Sequence, residues 1–179
     1  MLSLNFSTFP NLATEHLALR QLVATDVAAL VTLRCNEIVN KYLDRPKSTT
    51  LEDAIQFINK ITAGITNGQS LYWVIGLKEN NELIGTICLW NIDTANENME
   101  IGYELLPSFH GKNIMQEAIQ AVIDFGFNTI QLKSISAFTA VGNIASKKLL
   151  ERNSFKLAEN SEEINGEIVY VLKDASQNL

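Results

Sequence analysis

The segment Pro107-Ser-Phe-His110-Gly111-Lys112-Asn113-Ile114-Met115 joins an alternating apolar run to a helical one. A helix starting there presents unpaired N–H groups and a partial positive charge, which suit an anion such as a pyrophosphate. The junction follows the end of a strand, and in α/β sheets ligands bind beyond the carboxyl ends of strands. Gly111 removes a side chain where phosphate oxygens would approach the backbone, and Lys112 adds a cation. The Gly-Lys pair is not a Walker phosphate loop, because the upstream Gly and the Ser or Thr after Lys are both missing. Taken alone, a Gly-Lys-Asn turn suits ordinary helix initiation equally well. In the preceding run, alternation sets Met99, Ile101, Tyr103 and Leu105 on one face and Glu100, Gly102 and Glu104 on the other. Four residues of strand separate the two carboxylates by roughly 13 Å, too far to share one proton. Neither Cys35 and Cys88 nor His16 and His110 have metal-ligand spacing, so no metal is expected. Cys88 lies mid-strand with no base nearby in sequence and is not read as a nucleophile. Trp73, Trp90 and Phe109 fit core packing better than an acceptor pocket.

Several elements must hold these residues. Leu17-Ala-Leu-Arg-Gln-Leu22 alternates as a short strand. Thr25-Asp26 offers a helix N-cap ahead of Val27, Leu30, Val31 and Arg34, and Pro46 closes that region. Thr50-Leu-Glu-Asp53 resembles a capping box and opens a helix with Ile55, Ile58, Ile61 and Ile65 on one face and Gly68 as its stop. Runs 71–78 and 82–90 read as strands joined by a tight turn at Asn80-Asn81, because Asn tolerates positive φ. A polar loop, 91–98, leads to the third run, 99–106. A helix from about 112 to 128 carries a polar line (Asn113, Gln116/Glu117, Gln120, Asp124, Asn128) and a buried line (Ile114/Met115, Ala118/Ile119, Val122, Phe125). The strand 133–139 after it makes a β-α-β unit with two parallel strands. A helix over 143–152 and a strand over 167–173 close the chain. The predicted fold is therefore α/β (α+β mixed): one mixed, mostly antiparallel sheet with a central parallel β-α-β crossover and helices on both faces. A single domain spanning 1–179, with its core at about 15–174, accounts for the whole.

Composition bounds the function. The chain has 179 residues, of which 46% are hydrophobic and 19% charged, a globular balance rather than a disordered one. No apolar run reaches the roughly 18–20 residues of a membrane span, and the N-terminus has neither a basic region nor a long apolar core. Two cysteines are too few for a disulfide framework, so a reducing, cytoplasmic setting is expected. A net charge of −6 argues against a nucleic-acid surface; it is ordinary for a soluble protein and also fits a cationic amine partner.

Glu100-Ile-Gly-Tyr-Glu-Leu-Leu-Pro107 followed by His110-Gly-Lys-Asn-Ile-Met-Gln-Glu-Ala118 resembles the acetyl-coenzyme A motif of GNAT-type N-acetyltransferases, nearest to the ribosomal-protein N-terminal acetyltransferase branch. The resemblance runs almost end to end. It includes the opening Leu17-x-Leu-Arg20, the strand Leu83-Ile-Gly-Thr-Ile87, and Asn143-x-x-Ser146-x-x-Leu149-Leu-Glu-x-x-x-Phe155. It implies the acyl-CoA N-acyltransferase fold and an enzyme that moves an acetyl group from acetyl-CoA to a primary amine, a protein N-terminus or a small molecule, by direct attack in a ternary complex. It also implies that the backbone of His110, Gly111, Lys112, Asn113, Ile114 and Met115 holds the pyrophosphate. Leu105-Leu106 would bond the pantetheine arm, and Asn143 and Ser146 would lie near the cofactor's far end. The family loop usually has Gln or Arg, then Gly, then Gly or Ala where this chain has His110, Asn113 and Met115; Asn is the best non-Gly residue at positive φ.

Acetyl transfer from a thioester to an amine needs a proton taken from the ammonium, a stabilised oxyanion and a thiolate helped to leave. Family members often have a carboxylate at the position of Glu100, which makes it the candidate base. A water relay could replace it, and Glu100 and Glu104 could both be solvated strand residues. Ser146 is the candidate proton donor to the thiolate, as proposed in similar enzymes, or else a simple helix hydroxyl. Asn143 could serve as N-cap and cofactor contact at once. Tyr103 is read as core. The competing readings are an acyl-CoA-binding module without turnover and a structural or regulatory interaction protein. The acceptor stays open among a ribosomal-protein N-terminus, a polyamine, an aminoglycoside and a small metabolite, because segments 34–50 and 91–98 carry no readable code. Similar proteins often form homodimers.

Overall fold

The computed structural model describes residues 4, 6, 8–43, 45, 50–159, 163 and 166–175. In chain order, β1 (Leu12–Ala13) and β2 (Leu17–Gln21) lead to α1 (Val27–Cys35), α2 (Glu37–Asn40) and α3 (Leu51–Thr66). Strands β3 (Leu71–Leu77), β4 (Gly85–Asp93) and β5 (Asn98–Leu105) follow, then α4 (Ile114–Phe125), β6 (Ser134–Ala140), α5 (Ile144–Arg152), β7 (Lys156–Leu157) and β8 (Glu167–Lys173). No helix among the described residues is long and apolar enough to cross a membrane.

Among the described residues the eight strands form one sheet in the order β1-β2-β3-β4-β5-β6-β8-β7. Every pairing is antiparallel except β5 with β6, which the helical crossover makes parallel. That parallel pair is short. It runs Asn98↔Ser134, Met99↔Ile135, Glu100↔Ser136 and stops, whereas β4–β5 continues to Gly85↔Leu105 and β6–β8 to Ala140↔Glu167. Beyond Glu100 and Ser136 the two strands therefore keep their outer neighbours but splay from each other. Asn98 clasps the paired end: its Nδ2 donates to Ser136 Oγ (3.0 Å) and its Oδ1 accepts from Ser134 Oγ (3.0 Å).

Helices cover the sheet on both faces, as expected. Ile114, Ala118, Ile119, Val122 and Phe125 of α4, with Leu150 of α5, pack on Leu17, Leu19, Trp73, Ile75, Leu89, Met99 and Ile101. On the other face Leu30, Leu33, Ala54 and Ile58 of α1 and α3 pack on Leu22, Tyr72, Val74 and Leu83. Cover on both sides explains why β3 is buried at six successive positions and reads as a continuous apolar run.

Local chemistry sets the helix ends, with some departures from expectation. Thr50 Oγ1 accepts the Asp53 N–H (3.1 Å) and the Asp53 carboxylate accepts the Thr50 N–H (3.0 Å), so the capping box forms. Gly68, at φ 63°, ends the helix that it opens. Asp26 does not cap α1 with its side chain. A 3-10 turn, Ala24–Asp26, precedes the helix, and the carboxylate instead accepts from Val23 N (3.0 Å) and, at 2.7 Å each, from two Arg20 nitrogens. Ile55 is 42% exposed, because the buried line of α3 runs through Ala54 and Ile58 with Ile61 and Ile65 half-buried. The helix expected over 112–128 begins at Ile114 and passes into a π-helical turn, Gly126–Ile130. Gln116 belongs to its buried side, not its polar line, since it exchanges hydrogen bonds with Asn153 (2.7 and 3.1 Å). Strands β1 and β7, two residues each, carry too little alternation to be read from sequence. Pro46 lies outside the described residues.

Candidate active site

Pro107 opens a 3-10 turn, Pro107–Phe109, where its fixed φ costs nothing and its missing N–H is not needed. The chain then takes Gly111 at φ 72° and Asn113 at φ 63°, ψ 6°, both left-handed, before α4 starts at Ile114. Alternating signs of φ turn successive N–H groups toward a common centre, an anion-binding concavity. Among the described residues the N–H groups of Gly111 to Gln116 have no acceptor; the first intrahelical bond is Glu117 N to Asn113 O (3.1 Å). A Cβ placed on Gly111 would meet nothing within 4 Å, so the cradle is open above it. The Lys112 ammonium stands 5.3 Å from the centre of the Phe109 ring, beside this row. Exposed His110 sets its ring Nε2 2.9 Å from the carbonyl oxygen of Leu105. Leu106 N–H donates to Ile84 O (2.9 Å), on the β4 side.

Glu100 is the last β5 residue paired with β6 and lies half-buried on the face away from α4. Burial raises its carboxyl above the ordinary range and the charge of Glu167 adds to the rise, while an Nδ2–H of Asn91 donates to Oε2 (3.2 Å) and opposes it. Glu104, two alternations on, has a different fate. Its buried carboxylate accepts from Thr86 Oγ1 (3.1 Å) and from Arg45, with Arg34 at 4.0 Å. It is a buried ion-pair centre and not the solvated strand residue that sequence allowed. Cys88 faces the same side, and burial pushes its thiol up to about 12, so it is no thiolate at neutral pH.

On the α4 side of the splay, the Tyr103 hydroxyl lies 2.9 Å from Ser146 Oγ. Burial raises the phenol to about 12, with the Ser146 contact opposing the rise, so Tyr103 keeps its proton at neutral pH. Asn143 caps α5, its Oδ1 accepting the Ser146 N–H (3.2 Å). The splay thus has a carboxylate on one face and a hydroxyl pair on the other. Alternation correctly sets Tyr103 on the apolar face, where it packs on the core, but nothing local indicates its contact with Ser146, 43 residues away. Trp73 is wholly buried with Nε1 donating to Pro10 O (2.7 Å), and Phe109 packs at the core's margin; only Trp90 of the three aromatics is exposed. Among the described residues no group of three or more His, Cys, Asp or Glu could hold a metal ion.

A family model described as "Acetyltransferase (GNAT) domain" matches residues 16–156, from β2 to β7 and across the whole of this site. The chain belongs to the GNAT acetyltransferase family. It is an enzyme of the acetyl-CoA-dependent N-acetyltransferase class. Among its relatives, the N-acetyltransferase p20 of Bacillus licheniformis is 34% identical over 89% of this chain and 92% of its own length. The N-acetyltransferase YoaA of Bacillus subtilis is 31% identical over 83% of this chain and 84% of its own. The solved structure of RimL, a "Ribosomal L7/L12 alpha-N-protein acetyltransferase", in complex with coenzyme A matches with a TM-score of 0.80 at 24% identity, over 92% of this chain and 98% of that one. This last likeness is one of fold. GNAT membership fits the open N–H row at α4 and the β5–β6 splay, the two features through which such a chain could receive a long thioester carrying a pyrophosphate.

Proposed function

We propose that this GNAT enzyme, a single domain acting in the cytoplasm, transfers an acetyl group from acetyl-CoA to a primary amine by direct attack in a ternary complex. The observation that carries the reading is the open N–H row of Gly111–Gln116, two residues of it at positive φ, next to the splay of β5 and β6. In this reading the row from Gly111 to Met115, with His110 and Lys112 beside it, holds the pyrophosphate. The β6-facing edge at the end of β5, at Leu105-Leu106, holds the pantetheine arm, for which the His110 ring must release the Leu105 carbonyl while the Leu106 N–H stays on Ile84 O, and Asn143 and Ser146 meet the far end. Bound there, acetyl-CoA supplies a thioester carbonyl carbon as the acetyl donor. Glu100 takes a proton from the acceptor ammonium at its carboxylate, on the face away from α4. As the C–S bond breaks, Ser146 donates a proton to the departing sulfur and is reprotonated from Tyr103, from the opposite face; the second proton shed by the acylated nitrogen leaves to solvent, from which Tyr103 regains its own. RimL's recorded complex with coenzyme A supports the donor, and its named acceptor supports a peptide N-terminus as one acceptor class. The test is release of free coenzyme A thiol from acetyl-CoA over a panel of primary amines. Amine-dependent release supports the reading; coenzyme A binding without release with any amine would leave a module that holds acyl-CoA but does not turn over.

A further inference from the structure

The face that carries Glu100 is covered by α1 and α3 over β2–β4 and over the Glu104 end of β5. Beyond them stand two large aromatics, Trp90 at 46% exposure and Phe138 at 47%, although the opposite faces of the same strands are sealed at Leu89, Met99 and Ala137. Register puts these rings around the carboxylate. Trp90 is the cross-strand partner of Glu100, Ser136 is its parallel partner, and Phe138 lies two residues further along β6 on the same face, about 7 Å beyond Ser136. Strands β5 and β6 have parted by then, so the rings flank the mouth of the splay, one from each side. Gly102 lies beside the indole: a Cβ there would touch Trp90 Nε1 at 3.8 Å, an ordinary contact. The second carboxylate of this face, Glu104, is already saturated by Thr86, Arg45 and Arg34. Among the described residues Glu167, exposed at the start of β8, is a further acid whose charge reaches Glu100.

We infer that the acceptor is a primary amine with one ammonium on an apolar body, seated with that ammonium at Glu100 and its apolar part between Trp90 and Phe138. The inference rests on the acetyl-transfer reading above and names its acceptor class. The charges complement one another, since the ammonium meets the open Glu100 carboxylate and desolvated ammonium is further favoured over aromatic faces. A polyamine fits worse, because a further ammonium on the Glu104 side would meet the Arg34–Arg45 pair, like charges that repel, and its chain offers no apolar body to cover the two rings. Leaving two aromatics half in water is otherwise unfavourable, and an apolar ligand body would bury them.

The test uses the purified full chain, acetyl-CoA and four acceptors: phenethylamine, a peptide amide beginning Ala-Val, spermidine and an aminoglycoside. The two apolar amines should give at least tenfold higher kcat/KM than the two polycations, and their relative rates tell a small arylalkylamine from a chain terminus. Trp90→Ala and Phe138→Ala should each raise KM for the apolar amines about tenfold, the scale of one lost aromatic contact, leaving kcat and the acetyl-CoA KM unchanged. Trp90→Phe should restore the wild-type KM. Highest kcat/KM for spermidine or the aminoglycoside would overturn the inference and leave acetyl transfer standing. So would a uniform effect of Trp90→Ala on every acceptor. A wild-type dimer that both alanine variants dissociate in sedimentation would give the face to a second copy and overturn it too. Absence of thiol release with any amine would overturn the acetyl-transfer reading itself.

Discussion

Glu100 sits where burial and the charge of Glu167 raise its carboxyl above the ordinary range while the Asn91 hydrogen bond opposes the rise, a combination that brings a carboxylate nearer to working as a base around neutrality. Its raised position means that the basic form accumulates only above the ordinary carboxylate range, so activity should rise with pH through that shifted value. Glu100→Gln should slow transfer roughly 10²- to 10⁴-fold with little change in acetyl-CoA affinity, and the loss should shrink as pH rises and free amine becomes abundant. An unchanged pH–rate profile would remove Glu100 from the mechanism. Asn91→Gly deletes the opposing hydrogen bond and keeps the positive φ of 50° at that residue. It should move the ascending limb of the profile to higher pH; a shift to lower pH would contradict the assignment. Tyr103→Phe and Ser146→Ala should each lower turnover, and the double variant should lose no more than the worse single one, because the pair acts as a unit. Wild-type rates in Ser146→Ala would return that hydroxyl to a structural role. Of these residues, Glu100, Ser146 and Asn143 were legible from sequence as candidates. Tyr103 was not, because its meaning depends on a contact between a strand and a helix that only the fold creates.

The helix α4 and the loop before it were legible in kind but not in detail. The apolar spacing of Ile114, Ala118, Ile119, Val122 and Phe125 marks the buried side apart from Gln116, whereas the start is fixed by a backbone conformation, positive φ at Asn113. Sequence suggested that conformation through residue type alone. The π-helical turn at Gly126–Ile130 had no local signal; Gly126 lies against Leu132 and Ile135, neighbours supplied by β6 and the segment before it. If the left-handed Asn113 helps to converge N–H groups on an anion, Asn113→Gly should keep or slightly tighten acetyl-CoA binding. Asn113→Val should weaken it by roughly 1–3 kcal/mol, the scale of backbone strain at such a position. Dissociation constants at low and moderate salt would check this, since screening should weaken a phosphate held by the helix dipole and Lys112. Equal constants in all three proteins would mean that Asn113 has no part in binding.

At the scale of the whole molecule, the β3–β5 meander, the parallel β5–β6 pair and the two helical layers followed from periodicity and from the crossover rule, because each helix has one apolar side and β3 has two, whereas the places of β1, β7 and β8 in the sheet did not. What sequence could not supply is where β5 and β6 part, since splaying is a property of register and not of composition. The same close packing makes the sheet intolerant at Gly85, where a Cβ would fall 2.5 Å from the Glu104 carbonyl oxygen and 2.8 Å from Leu105 Cδ1. Gly85→Ala should cost roughly 1–3 kcal/mol through overpacking against backbone, seen as a lower urea midpoint at unchanged slope; a wild-type midpoint would contradict the packing. In the proposed function the α4 loop and the β5–β6 splay together receive acetyl-CoA. Titration calorimetry of the full chain with acetyl-CoA tests it most directly. The account predicts a single site of micromolar affinity, about −8 kcal/mol, weakened in Asn113→Val, whereas no heat of binding with protein and ligand both at hundreds of micromolar would contradict it.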